Sequence, residues 1–307
     1  MIARGELPGA NLSLGGDMPP PYPRIHVVIN PASGKDQPIL NTLNDLFVKH
    51  GVDWSVSITQ RYGDAEAQAR QAFAEGVDLV AAYGGDGTQH EVALAAIDAG
   101  KPLGILPGGT GNGFARENGI PTRLAPAVEL LCTSRQTRHV DAARIGEAYF
   151  IQRMYAGIEP EEQTSRELKN KYGVLAYAVT TARRARTSHP TEYQLTIDGE
   201  RHTASAFQVY VVNSGMTGKG VAPMGEYSIT DGLLEVIVLS ADPISIVASQ
   251  QRMFHLPLRS AALSAWRGRQ ITLEADTPRT IWTDGELHGK TPVTVEVVPS
   301  ALPIVVA

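Results

Sequence analysis

The chain has 307 residues, 43% of them hydrophobic, enough for one large domain or two ordinary ones with packed cores. A formal charge of −5 at pH 7 argues against general nucleic-acid binding, which needs a basic face, and the single cysteine, Cys132, excludes an internal disulfide and fits the cytoplasm. No run reaches the ~18 apolar residues that span a bilayer, so any membrane contact is expected to be peripheral, at the inner face.

Residues 1–23 read as a flexible leader rich in Gly, Pro and Asn, without the apolar centre of a signal peptide. From Arg24, "RIHVVIN" is a β-branched run that stops at the turn-rich "PASGK", as a buried strand does. Ile39, Leu40, Leu43, Leu46 and Phe47 then recur at helical spacing up to Gly51. "WSVSIT" alternates as a strand, and "GDAEAQARQAFAEG" is a helix with Asp64 near its start and Gly76 at its end. "DLVAAY", "TQHEVALAAIDAG", "PLGILP" and "TRLAPAVELLCTS" continue the alternation, with Cys132 as a small core residue of the last helix. This grammar predicts an α/β domain over 24–140, a parallel sheet covered by helices. After Val140 the runs become strands joined by tight turns, which predicts a largely antiparallel β domain over 141–299. Helices around 168–184 and 244–255 are expected to interrupt it.

Three Gly-rich loops, at residues 30–35, 84–88 and 107–113, each follow a predicted strand. Right-handed crossovers place them on one edge of the sheet, where open α/β sheets bind ligands. Glycines let backbone N–H groups approach an anion, and several beside a helix N-terminus make a phosphate site. Lys35 offers a point charge, Thr88 a helix cap, Asp86 a carboxylate facing the phosphates, and Thr110 and Asn112 hydrogen-bonding groups. None of the loops has the spacing of a P-loop or of a dinucleotide fingerprint.

"NPASGK", "GGDGTQHEV" and "LPGGTGNGFAR", in this order, resemble the catalytic domain of the diacylglycerol kinase superfamily, which includes sphingosine and ceramide kinases. The resemblance continues through "ITQRYGDA", "VNSGMTGKGVAPMGEYSITDGLLEV" and "WTDGE". It implies an NAD-kinase-like α/β domain plus a β-rich lipid domain, with the segment from about residue 300 to 307 returning to the first. It also implies transfer of the ATP γ-phosphoryl group, with Mg²⁺, to a lipid hydroxyl in the cleft between domains. Asn30, Pro31, Ala32, Ser33, Gly34, Thr59, Gly84, Gly85, Asp86, Gly87, Thr88, Thr110 and Asn112 are then the nucleotide-binding positions. Glu286 is the base, expected in a dry cleft that raises its basicity. Asp86 orients the phosphates and Mg²⁺, and is the rival base. The bland reading of Asp231 is a turn residue before Gly232. The resemblance makes it a ligand of a structural Mg²⁺ with Ser228 and the carbonyl of Leu233.

The chain departs from bacterial diacylglycerol kinases at Gly113, where an acid is usual, and at "TGKG", where Lys219 interrupts a glycine run. Gly113 and His90 lean toward the sphingosine- and ceramide-kinase side, although His90 by itself reads as an ordinary helix-face histidine. Glu159 and Glu161 are candidates for a polar head-group. Arg183, Arg184 and Arg186, and the segment 250–269, are candidates for a lipid surface, with a solvated helix as the plain alternative for each. The expected partner is a lipid at a membrane surface, and a homodimer stays open. A soluble NAD kinase and a nucleotide-binding regulator without turnover are the competing functions.

Overall fold

The structure is a computed structural model that describes residues 19–33, 37–109, 111–158, 189–214, 228–240 and 263–307. Its first half alternates as the apolar runs dictate. The strands are β1 (Arg24–Ile29), β2 (Asp53–Ile58), β3 (Leu79–Gly84) and β4 (Leu103–Pro107). The helices are α1 (Ile39–Lys49), α2 (Asp64–Ala74), α3 (Asp86–Ala99), α4 (Gly113–Glu117) and α5 (Leu124–Thr133). The four strands lie parallel in the order β2-β1-β3-β4. β3 is buried at every position, which is why its sequence is an unbroken apolar run. Leu43 and Phe47 of α1 are fully buried beneath that helix, and Cys132 of α5 is buried too. Leu40 shares their spacing but is 49% exposed, so it lies outside the packed stripe. The five-residue α4 lies within what reads in the sequence as loop.

After Thr133 the described residues are all strand and turn. The strands are β5 (Gln136–Ile145), β6 (Ala148–Phe150), β7 (Arg153–Gly157), β8 (Thr191–Ile197), β9 (Glu200–Ala206), β10 (Gln208–Val212), β11 (Leu234–Leu239), β12 (Leu263–Gly268), β13 (Gln270–Ala275), β14 (Thr280–Thr283), β15 (Glu286–Lys290) and β16 (Val293–Val306). Six form an antiparallel sheet in the order β12-β11-β10-β7-β14-β15. Its inner residues, among them Met154, Val209, Val211, Val236 and Ile281, pack a second core against Tyr193, Leu195, Ile271 and Leu273. The expected fold class, an α/β unit followed by a largely antiparallel one, is therefore what the structure shows. The helices expected around 168–184 and 244–255 fall outside the described residues, but the end of the 250–269 segment is strand β12.

The two cores share strands rather than meeting at a linker. The larger sheet runs β2-β1-β3-β4-β16-β13-β8-β9, with β5 paired to β16, so it is continuous through both halves. Val295 of β16 pairs with Ile145 in the second core, whereas Ile304 lies alongside Leu103 in the first. Between them the register slips and Ser300 adopts φ 54°, an irregularity that bends a strand and re-aims its side chains. Buried Asp141 holds the bend. Its Oδ1 accepts the Ser300 N–H at 2.8 Å and its Oδ2 the Gly232 N–H at 2.7 Å. Leu302, Ile304, Val305 and Val306 end up in the first core.

Because Ile304 is fully buried at the centre of that sheet, Ile304→Ala is expected to lower the unfolding free energy by about 2–5 kcal/mol. Denaturant unfolding of the full chain checks this. A cost under about 0.5 kcal/mol, typical of surface positions, would contradict the placement.

Candidate active site

The ends of β1, β3 and β4 bring the three glycine-rich loops together on one sheet edge, with the chain order reversing between β1 and β3. Asn30 spans that reversal. Its N–H donates to the Tyr83 carbonyl, its Nδ2 donates to Thr88 Oγ1 at 3.0 Å, and its Oδ1 accepts the Ala32 N–H at 3.0 Å. Pro31 and Ala32 are exposed beside it, and the Ser33 N–H returns to the Asn30 carbonyl. Thr59, buried at the end of β2, donates its N–H to Ile29 and so stands next to the first loop. Gly34, Lys35 and Thr110 lie outside the described residues.

The glycines of the second and third loops are there for packing as well as for backbone donors. A Cβ on Gly109 would stand 2.7 Å from Gly85 Cα, and one on Gly84 would stand 2.5 Å from the Thr88 side chain. The loops therefore pass backbone to backbone, with the Gly108 N–H donating to the Gly84 carbonyl at 2.9 Å. Asn112, at φ 48°, closes the third loop on itself through two bonds with Gly109. The sequence suggests Thr88 as the cap of α3, but the helix begins two residues earlier. Gly85 is the N-cap, no side chain caps it, and the Thr88 hydroxyl is turned to Asn30 instead. The first N–H groups of α3 are thus left as donors, with Gly87 exposed among them. Asp86 Oδ1 accepts the Phe114 N–H at 3.2 Å, and a Cβ on Gly111 would come within 3.5 Å of Oδ2.

The second half of the molecule enters this site through a hairpin. Asp284 and Gly285, at φ 48° and 99°, form the two-residue turn between β14 and β15, the left-handed geometry that Asp-Gly favours. The Asp284 carboxylate accepts the N–H groups of Ile151, Gln152 and Arg153 at 2.8–3.0 Å. It also lies 2.7 Å from Nδ1 of His90, a close ion pair although the N–H is not aligned as a hydrogen bond. His90 is therefore not an ordinary helix-face histidine. It is the contact from α3 to the turn that carries Glu286. Burial pulls the His90 imidazolium down, but Asp284, with Glu91 and Glu66, more than offsets this and leaves its pKa raised. Burial pushes Asp284 up, but His90 and the amides of Arg153 and Ile151 hold it below the usual carboxylate value.

Two neighbours complete the cleft. Glu91 is buried and its Oε2 accepts the N–H groups of Gly63 and Ala65, so it caps α2 from α3. Tyr62 keeps 62% of its surface exposed, yet partial burial of the phenol and the charges of Glu286, Glu91, Glu66 and Asp284 push it up to about 12. Glu286 itself is exposed rather than sunk in a dry cleft, because it is the first residue past the hairpin tip.

The residues around Asp86 fit a hydrated Mg²⁺ held by one carboxylate and substrate phosphates, since Gly111 and Gly113 leave the space beside Oδ2 open. In the second donor set, Asp231 and Ser228 already make local contacts. Asp231 Oδ1 accepts the Leu233 N–H in a turn, its Oδ2 lies 4.0 Å from the Arg267 guanidinium, and the Ser228 hydroxyl is bonded to Thr230. No cluster of three or more His, Cys, Asp or Glu side chains suited to a metal occurs among the described residues. Lys219, Glu159, Glu161, Arg183, Arg184 and Arg186 lie outside the described residues. Among the described residues no helix is long and apolar enough to cross a membrane.

Known proteins resemble this chain in both halves. Residues 24–145 match the model of the diacylglycerol kinase catalytic domain, and residues 152–306 match that of the YegS C-terminal NAD kinase beta sandwich-like domain. An uncharacterised protein of Synechocystis sp. is 31% identical over 91% of this chain and 69% of its own length. A Klebsiella pneumoniae protein named "Probable lipid kinase YegS-like" is 29% identical over 92% and 95% of the two chains. The crystal structure of a "putative diacylglycerol kinase" from Bacillus anthracis superposes with a TM-score of 0.78 over 94% of this chain and 98% of that one. At 24% identity, that likeness shows the fold.

Gly109→Ala forces two backbones apart and is expected to cost about 1–3 kcal/mol, checked by denaturant unfolding. Wild-type stability would show that the loops do not meet this closely. The charged pair has its own pH signature. Stability from His90, whose pKa is raised, is complete below the ordinary imidazole value of 6.5 and fades as pH climbs through the raised one. Stability from Asp284, whose pKa is lowered, is complete above 3.8 and fades as pH drops through the lowered one. The melting-temperature gap between wild type and His90→Gln should therefore be widest from about pH 4 to 6.5 and close toward alkaline pH. A gap that widens toward alkaline pH would contradict the pairing.

Proposed function

The chain belongs to the family that joins a diacylglycerol kinase catalytic domain to a YegS C-terminal NAD kinase beta sandwich-like domain, and from that premise we propose that it transfers the γ-phosphoryl group of ATP to a lipid hydroxyl. The observation that carries this reading is the docking of the Asp284–Glu286 turn onto α3, the helix whose first residues form the second glycine loop. A phosphate site and a carboxylate base are then held by one pair of elements. Phosphoryl transfer asks little else of a protein than positioning and charge stabilisation.

Asn30 to Ser33, Thr59, Gly84 to Thr88 and the Gly109–Asn112 loop bind the nucleotide, with the uncapped N–H groups of α3 turned to its phosphates. Asp86 holds Mg²⁺, which when bound neutralises charge on the phosphates. Glu286 accepts the proton of the attacking hydroxyl. Its exposure in the free protein makes the acceptor itself the group that excludes water from it.

A row of aromatic side chains supports an apolar acceptor. Tyr210, Tyr155 and Trp282 stand opposite one another on β10, β7 and β14, on the sheet face away from the second core. Ring centroids are 5.9 and 6.4 Å apart, and Tyr155 and Trp282 are stacked within 7°. The row ends two residues before Asp284, so an acyl chain along it brings its polar end to the base. Diacylglycerol and a sphingolipid such as ceramide or a sphingoid base are the acceptors to be distinguished. His90 has a structural partner of its own and no longer speaks for either, which leaves Gly113 as the residue favouring the sphingolipid.

The test is incubation with γ-labelled ATP, Mg²⁺ and mixed vesicles containing diacylglycerol, phosphatidylglycerol, ceramide or sphingosine, with NAD as a soluble acceptor. Label in a lipid is expected; label in NAD alone, or nowhere, contradicts the proposal. Glu286→Gln should lower kcat by about 10²-fold or more and leave Mg·ATP affinity near wild type. If Glu286→Gln keeps its turnover while Asp86→Asn loses it, the base is Asp86.

A further inference from the structure

The chemistry above uses Asp86 and Glu286 but not the buried charged contact between the two halves that His90 and Asp284 make among the described residues. The His90 and Asp284 side chains keep only 10% and 3% of their surfaces exposed. Burying opposed charges carries a desolvation penalty for each ion, so this contact is a poor device for stability alone. What it fixes is direction. On its own side, Asp284 is held by three consecutive backbone N–H groups, so the turn cannot pivot on β7 without breaking them. On the other side, His90 stands one helical turn after Asp86 on the same face of α3. Asp86, His90, Asp284 and Glu286 thus form a chain in which each link is a rigid helix turn, a close contact or a tight hairpin.

We infer that His90 is a positioning residue for the proposed phosphoryl transfer: its contact with Asp284 sets the distance from the nucleotide loops on α3 to Glu286, and so assembles the two halves of the active site. The inference rests on the kinase reading. It accounts for a histidine at an α3 position that meets the hairpin, and for Asp284 taking up backbone donors rather than pointing at substrate. Neither residue touches the reacting atoms.

The test uses the full chain and four variants: His90→Gln, His90→Ala, Asp284→Asn and the double His90→Gln with Asp284→Asn. Unfolding midpoint, Mg·ATP affinity by calorimetry, and kcat and KM with the lipid that wild type labels are measured for each. Single variants should bind Mg·ATP within about threefold of wild type but lose about 10²-fold in kcat, the scale on which a small misplacement acts. The double variant should be no worse than either single, because both remove one link. His90→Gln, which keeps a polar group, should retain more kcat than His90→Ala. Folded variants with wild-type kcat, or losses that simply multiply in the double, overturn the inference while leaving the kinase reading intact. If wild type labels no lipid, the kinase reading falls first, and the unfolding cycle still reports whether residues 90 and 284 couple. Should the variants fail to fold, the nitrogen resonances of His90 in wild type decide. An imidazole that titrates at or below 6.5 means the ion pair is absent and the inference fails.

Discussion

The backbone of Gly109 passes so close to that of Gly85, the residue on which α3 opens, that a single methyl group would collide. With Gly85 as an uncapped N-cap, the helix opens directly onto the sheet edge, and four of its first six residues reach different elements. Asp86 meets the third loop, Thr88 the first, His90 the Asp284 hairpin, and Glu91 the start of α2. One helix thereby fixes three loops and a hairpin. A side chain at position 109 would displace the hub and with it the geometry of the proposed chemistry.

The second constraint is continuity between the cores. β5 and β16 run through both, and the bend in β16 is held by a buried aspartate with two backbone donors. Two domains on a linker would be free to swing, and a contact such as His90–Asp284 would then have to hold them unaided. Shared strands already limit that motion, so the ion pair need only settle the final placement of the hairpin. This division of labour suits a reaction in which positioning supplies most of the rate.

Much of this was legible in the residues. Glycine clusters ending apolar runs identify the sheet edge and its three loops, and Asp284-Gly285 between two strand-like runs identifies a hairpin. These are local signals. What the sequence hides is partnership at long range. His90 and Asp284 are 194 positions apart, and nothing in "TQHEV" distinguishes a buried histidine from a solvated one. Glu91 likewise looks like a surface acid yet caps another helix. Thr88 has the composition of a cap but not the position, because the helix begins at Asp86 and the Thr88 hydroxyl is taken by Asn30. Leu40 obeys the helical period and still faces water. The shared strand β16 is masked by Pro299, Ser300 and Pro303, which read as its end although the chain continues through a bulge.

The claim on which the account turns is that a nucleotide on α3 faces Glu286 across the cleft. A crystal structure of Glu286→Gln with Mg²⁺ and a non-hydrolysable ATP analogue measures this directly. The account predicts the triphosphate against Asn30–Ser33 and Gly84–Thr88, with its terminal phosphorus facing residue 286 across a gap that one hydroxyl can bridge. A triphosphate bound on another edge, or a terminal phosphorus turned away from the Asp284 hairpin, would contradict it.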